Sequence, residues 1–310
     1  MNELVIFHKQ LGDTVLLEPV LRKIALANGH PVQLLCPSQF APLVDLMPHT
    51  HMAKGKERWM PDRVSAYDWG GRTTRAAAIT LCRDKRLLIS YPFFVKRRHH
   101  WVFNEVTLEP YLDRYISRYY WESTKKESPM NDFSPTRLDA PPEDWKPNFF
   151  KPEPYILFNP VSAWKRKCYS VDCWVEVFGA LAKSGLERVL MTGGDDDWQR
   201  QHCAEIAARS PLQIEDVSGV TSLREYLYLI SRANRVLCVD GAAAHLARAF
   251  GRPCLTIFGP SPRKIWHMED ELNLAVDASY YSDETRPEAC IIPASDIIHT
   301  FARLATGTST

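Results

Sequence analysis

Residues 235–259, RVLCVDGAAAHLARAFGRPCLTIFG, decide how the rest of the chain is read. An apolar run, Val236 to Val239, ends in Asp240 and Gly241. Ala242 to Ala244 then open a helical pattern without bulky side chains, and a second apolar run, Cys254 to Phe258, follows Gly251 and Pro253. Strand, turn, helix and strand in that order are one βαβ unit, the building block of a parallel sheet. Backbone N–H groups left bare at a helix start form a seat for an anion. The turn is not a Walker loop, because GxxxxGK[ST] occurs nowhere in the chain.

The same alternation extends in both directions. Before it stand the strands YILFNP (155–160), RVLMTGG (188–194) and QIEDV (213–217), separated by helical patterns at 173–185, 195–210 and 222–233. After it, PASDIIHTFARLA (293–305) is a last helix, placed to cross back to the first half of the chain. The first half has strands at LVIF (4–7), VQLLC (32–36), VSAYDW (64–69) and RLLIS (86–90). One helix is expected from near Asp13 to the stop at Asn28-Gly29, and another over 71–82. Between the halves, residues 128–154 carry 7 of the 22 prolines, a density that breaks helix and ladder alike. The reading is an α/β chain of two domains, 1–150 and 151–310, with the linker at about 128–154 and a ligand cleft at the carboxyl ends of the two sheets.

Bulk composition narrows the partners. A net charge of +1 and 24% charged residues give no sign of a nucleic-acid binder. Locally, residues 51–126 hold 16 Lys plus Arg against 8 Asp plus Glu, which suits an anionic partner or a solvated basic face. The eight cysteines show no CxxC pair and no zinc-like Cys/His spacing, as expected of reduced thiols in a cytosolic protein. No apolar run reaches 18 residues and no signal peptide precedes the first strand, so the expected location is cytoplasmic, with any membrane contact peripheral.

Four strand-to-helix turns carry candidate chemistry. Near the amino terminus, HKQLGDTVLLEP (8–19) sets the carboxylate of Asp13 between a buried strand and an apolar helix. NPVSAWKRKCYS (159–170) brings Ser162 and the cations Lys165, Arg166 and Lys167 to a strand end, where they can neutralise a phosphate or form an exposed basic loop. MTGGDDDW (191–198) has glycines that allow close approach, followed by three acids. Helix capping accounts for one, and another can grip ribose hydroxyls. The fourth is the turn at Asp240 and Gly241, with His245 one helical turn on, a position more often filled by a core or turn histidine than by a catalytic one.

In this order the motifs resemble glycosyltransferase family 9, the lipopolysaccharide heptosyltransferases of the GT-B fold. The likeness rests on Leu11-Gly12-Asp13 with Pro19 in the following helix, on Lys167, Tyr169 and Trp174 in KCYSVDCW, and on DGAAAHLARAFGRPCLTIFGPS (240–261). It implies two Rossmann-like parallel-sheet domains facing each other across a cleft, the first binding the acceptor and the second the nucleotide sugar. It also implies inverting heptosyl transfer from ADP-heptose to a Kdo- or heptose-bearing inner-core acceptor, at the inner face of the cytoplasmic membrane, without metal or cofactor.

By the same resemblance Asp13 is the general base and Lys167 neutralises the leaving group. Gly12, Ser162, Lys165, Gly193, Asp197, Thr221, Asp240, Gly241, Ala242 and His245 surround the donor, Asp197 at the ribose and Thr221 at the adenine. Lys54, Lys56, Arg58, Arg97 and Arg98 are the expected contacts to an anionic glycan, because Arg and Lys suit carboxylates and phosphates. Trp59, Trp69 and Trp101 can stack on sugar or pack, and packing is the expectation. The chain departs from the family pattern at Gly241-Ala242, at Ser170 and at Ser261-Pro262, which leaves the donor sugar open. Other readings are a different donor or acceptor, and a nucleotide-sugar binder without turnover. A nicotinamide oxidoreductase is disfavoured, since no GxGxxG follows a strand.

Overall fold

The computed structural model describes residues 1–67, 71–89, 97–108, 114–124, 132–183 and 188–304, without the side chains of residues 56, 57, 89, 97, 98 and 108. Trp69 and residues 128–131, the start of the proline-rich linker, lie outside these residues. The chain divides into two compact units, Met1–Asp139 and Ala140–Thr310.

In the first unit the strands are β1 (Glu3–Ile6), β2 (Val32–Leu35), β3 (Thr50–Met52), β4 (Arg63–Tyr67), β5 (Asp84–Ile89) and β6 (Glu105–Leu108). They form one sheet in the order β3-β2-β1-β4-β5-β6, with every neighbouring pair parallel. The helices are α1 (Leu11–Leu16), α2 (Glu18–Asn28), α3 (Ala41–Asp45), α4 (Gly71–Ile79), α5 (Arg97–Val102) and α6 (Ile116–Ser123). The single helix expected from Asp13 to Asn28 is two helices, broken at Leu17. Pro19 has no N–H to give the carbonyl four residues back, so it is accommodated only in the first turn of a new helix. That second helix stops where expected, with Gly29 in the left-handed region at φ 74°.

The second unit repeats the plan with β7 (Tyr155–Asn159), β8 (Arg188–Met191), β9 (Ile214–Asp216), β10 (Arg235–Val239), β11 (Cys254–Phe258) and β12 (Asn273–Asp277). Their order is β12-β11-β10-β7-β8-β9, again parallel throughout. Its helices are α7 (Val171–Lys183), α8 (Asp197–Arg209), α9 (Leu223–Arg232), α10 (Ala242–Ala249), α11 (Arg263–Trp266) and α12 (Ala294–Arg303). Strands β7 and β10 are buried along nearly their whole length, which explains their unbroken apolar runs. Trp174 of α7 sits edge-on to Phe158 at 4.6 Å and to Tyr169 at 5.1 Å, each such pair contributing about 0.5–1.5 kcal/mol beyond area burial. Helix α12 packs on α7, β12 and β11, with Ile297 and Phe301 in this same core. Its apolar face is therefore buried within its own unit.

Both sheets are doubly wound, with the strand order reversing between β1 and β4 in one and between β7 and β10 in the other. At such a reversal the loops diverge to opposite faces and leave a crevice beyond the carboxyl ends of the strands. Asp13 follows β1, whereas Ser162, Lys167, Asp240 and Gly241 follow β7 and β10. The site-bearing turns of each unit thus lie at that unit's own switch point.

Candidate active site

In the second unit two turns meet. Lys167 closes a short 3-10 turn (Lys165–Lys167) after β7, and its ammonium donates to Asp240 Oδ2, 2.7 Å away at the end of β10. Asp240 is only 3% exposed and Lys167 18%. A carboxylate so far removed from water needs a cationic partner, and the cation keeps a face for a second anion. The ring of Trp164 lies 5.1 Å from the same ammonium.

The loop that carries Lys167 is fixed from behind. Tyr169 Oη donates to the carbonyl of Ile292 at 2.7 Å, and Arg166 Nε donates to Glu288 at 3.2 Å. Gly259, after β11, backs the loop closely: a Cβ there would lie 2.8 Å from the Ala289 amide nitrogen and 3.3 Å from the Arg166 carbonyl oxygen. At the head of α10, a Cβ on Gly241 would stand 3.8 Å from Ser162 Oγ. Ser162, Lys167, Asp240, Gly241 and Ala242 are therefore one group, beside the free amides of the first turn of α10.

His245 is buried one turn into that helix, and its ring is held down to about 4. Burial is the main cause; the charges of Lys167 and Arg248 act in the same direction, and Asp240 opposes them. At neutral pH it is an uncharged imidazole, so it donates or accepts hydrogen bonds but supplies no positive charge.

A second pair of loops lies after β8 and β9. The Gly219 amide donates to the Gly193 carbonyl at 3.1 Å, and a Cβ on Gly193 would lie 3.1–3.2 Å from Cys203 Sγ, Val161 Cγ2 and Ser218 Cβ. Gly193 is thus confined by packing as well as by its turn. The next glycine amide, Gly194, donates to Gln199 Oε1 at 2.9 Å. Of the three acids, Asp196 accepts from Gln199 Nε2 at 3.0 Å, whereas Asp197, 98% exposed, pairs with Arg200 at 2.7 Å. Lys165 Nζ sits 5.3 Å from the ring of Trp198. Thr221 is half-buried just ahead of Ser222, which caps α9 in a reciprocal pair with Glu225.

In the first unit, Gly12 and Asp13 lie in the opening turn of α1, half-buried, and no side chain caps that helix. Lys54 is exposed after β3, Lys56 and Arg58 belong to the 3-10 turn Gly55–Arg58, and Arg97 and Arg98 open α5. Two residues that the sequence did not single out join them: His8, after β1, and Arg72, in the first turn of α4. The ring of His8 is lowered by burial and then by the charges of Arg72 and Arg58. Nδ1 of His8 and Nε of Arg58 are buried without a hydrogen-bond partner among the described residues. His8 opens the stretch 8–19, but only the fold brings that strand end and the start of α4 together. Trp101, 84% exposed, does not show the packing expected of it, whereas Trp59 is 37% exposed and lies against Arg58. Among the described residues, no group of three or more His, Cys, Asp or Glu is arranged to hold a metal ion.

Two doubly wound parallel-sheet units, one with a buried cation–acid pair at its switch point, define a class of α/β protein that binds ligands beyond the carboxyl ends of its strands. The model of glycosyltransferase family 9 (heptosyltransferase) matches residues 66–292, and the chain belongs to that family. Leu11-Gly12-Asp13 precedes the matched span. Among curated proteins the chain is similar to lipopolysaccharide heptosyltransferase 3 of Escherichia coli K12, 27% identical over 154 residues, covering 46% of this chain and 44% of that one. The chain spans about half the length of the curated relatives it matches. Among solved structures it is similar to Escherichia coli ADP-heptose lps heptosyltransferase II, with TM-score 0.79, 16% identity, and 97% and 98% of the two chains covered. It is also similar to Escherichia coli heptosyltransferase WaaC with ADP, with TM-score 0.75, 15% identity, and 98% and 100% covered. These two likenesses establish the GT-B architecture.

Proposed function

We propose that the chain transfers a heptose from ADP-heptose to an inner-core lipopolysaccharide acceptor with inversion at the anomeric carbon. The acceptor hydroxyl oxygen attacks that carbon as the bond to the diphosphate oxygen breaks. The hydroxyl proton passes to the Asp13 carboxylate, and ADP departs with the bonding electrons. The Lys167 ammonium and the amides of Gly241 and Ala242 meet the charge that develops on the departing diphosphate. Ser162, Lys165 and neutral His245 line the same seat, Gly193 gives the backbone room, and Asp197 and Thr221 contact ribose and adenine.

The observation that carries this reading is the Lys167–Asp240 pair at 2.7 Å, set at the switch point beside the first turn of α10. Family membership and the ADP and ADP-heptose in the names of similar structures support the donor class. The basic surface of the first unit, with Lys54, Lys56, Arg58, Arg97 and Arg98, suits the phosphates and carboxylates of the acceptor. The location that follows is the cytoplasmic face of the inner membrane. The replacement of Thr-Gly by Gly241-Ala242 favours a second reading, in which the protein binds a nucleotide sugar without transferring it.

A panel of nucleotide sugars differing in base and sugar, offered with a Kdo-bearing acceptor, separates these readings. The expected result is transfer from ADP-heptose and release of ADP. Binding of ADP-heptose without transfer supports the second reading, and transfer from another donor alone contradicts the assignment of ADP-heptose.

A further inference from the structure

The amino-terminal unit exposes large apolar side chains where a water-soluble surface has no use for them. Met60, Ile79 and Leu81 are 64%, 54% and 72% exposed, next to the 37% exposed Trp59. They form one patch: the Leu81 amide donates to the Trp59 carbonyl at 2.8 Å, which brings the segment after the Gly55–Arg58 turn alongside the end of α4. Contiguous exposed apolar surface of this kind marks an interaction site. Helix α5 packs against α4, and its Trp101 is exposed over 84% of its surface.

The charges around the patch are mostly of one sign. The outer face of α4 reads Arg72, Arg75 and Ile79, spaced three and four apart, with both arginines exposed. Arg58 stacks on Trp59 with its guanidinium carbon 4.7 Å from the ring, and Lys54 and Arg83, both exposed, stand near Trp59 and Leu81 along the chain. From 54 to 83 the sequence holds seven Lys or Arg against three Asp or Glu. Aromatic and branched apolar side chains ringed by cations are the surface composition that lies in the interface of an anionic bilayer. Among the described residues no helix is long and apolar enough to cross a membrane, so such contact is by a face and not by a span.

We propose that the face formed by Trp59, Met60, Arg72, Arg75, Ile79 and Leu81 docks on an anionic phospholipid bilayer, inserting the apolar side chains to the depth of the headgroups. This docking stands independently of the transfer reaction and involves none of the donor-site residues.

Flotation of the full-length protein with vesicles of phosphatidylethanolamine and phosphatidylglycerol tests it, with no nucleotide sugar present and phosphatidylcholine vesicles as the comparison. The protein is expected to float with the anionic vesicles, and increasingly less as salt is raised. The Met60→Ser/Leu81→Ser double variant is expected to lose roughly tenfold or more in partitioning. Arg75→Gln is expected to lose about fivefold. Because these side chains are exposed, the melting temperatures of both variants should stay at the wild-type value. Equal partitioning to both vesicle types, or wild-type partitioning by both variants, overturns the proposal. So does a concentration-dependent dimer abolished by the double variant without any vesicle binding, which would assign the patch to a second copy of the chain. Transfer or ADP binding is measured separately, so a failure here leaves the reading of the donor site untouched.

Discussion

Lys167 faces two demands at once. Its ammonium pairs with a carboxylate, Asp240, that is 3% exposed, and its own side chain is 18% exposed. Removing one member of a buried pair strands the other, at a cost of roughly 3–5 kcal/mol. Removing a charge that stabilises a departing diphosphate costs about 10²–10³ in turnover. Lys167→Ala is therefore expected to lower turnover about a hundredfold and to lower the melting temperature, whereas Lys167→Arg keeps the cation and recovers part of both. Unchanged turnover in Lys167→Ala contradicts the role. The cations of this loop were legible in the sequence, because a run of three at a strand end has few structural uses. The contact to Asp240, 73 positions away, was not, and neither were the rings of Trp164 and Trp198 beside Lys167 and Lys165. The Asp197 pairing with Arg200 is a surface contact that a carboxylate count does not reveal.

At the scale of elements, central strands announced themselves, whereas of the four edge strands only β9 did. Strands β1, β2, β7, β8, β10 and β11 are mostly buried and read as apolar runs. Strands β3, β6 and β12 went unread, and each is the edge of its sheet. An edge strand is covered less and tolerates His51, Glu105 or Asn273 in a ladder, so its pattern carries little apolar signal. The break between α1 and α2 had a visible cause in Pro19, but the apolar periodicity continues through Leu16 and Leu17 and masks it. Helix α4 was read from its alanine-rich face, whereas the neighbouring exposed Ile79, Leu81 and Met60 acquire meaning only once the Trp59–Leu81 hydrogen bond joins them.

At the scale of the whole molecule, the two units carry buried titratable groups of opposite sign. In the second unit, burial pushes His245 and His267 down to about 4, with Arg248 and Arg263 adding to the effect at His267. Between pH 4 and 6.5 the unfolded chain binds protons that these folded rings refuse. Their stabilisation is therefore complete above pH 6.5 and is lost as pH falls through that window, up to about 3 kcal/mol for each ring. In the first unit, burial raises Glu18 to about 7 against the opposing pull of Arg22, 3.1 Å away. There the folded state holds a proton that the unfolded chain releases, so the contribution declines as pH rises from 4.5 to 7. Urea unfolding at pH 4.5 and 6.5 is expected to show a smaller gain in stability for His267→Asn than for the wild type. An equal gain in both contradicts the depressed ring.

The proposed transfer requires the carboxylate of Asp13 as its base. The most direct measurement is transfer from ADP-heptose by Asp13→Asn, alongside its affinity for ADP. The substitution keeps the shape of the side chain and removes only its capacity to take a proton. The account predicts a loss of transfer of about 10²–10⁴-fold with ADP affinity unchanged. Transfer at the wild-type rate by Asp13→Asn would contradict it.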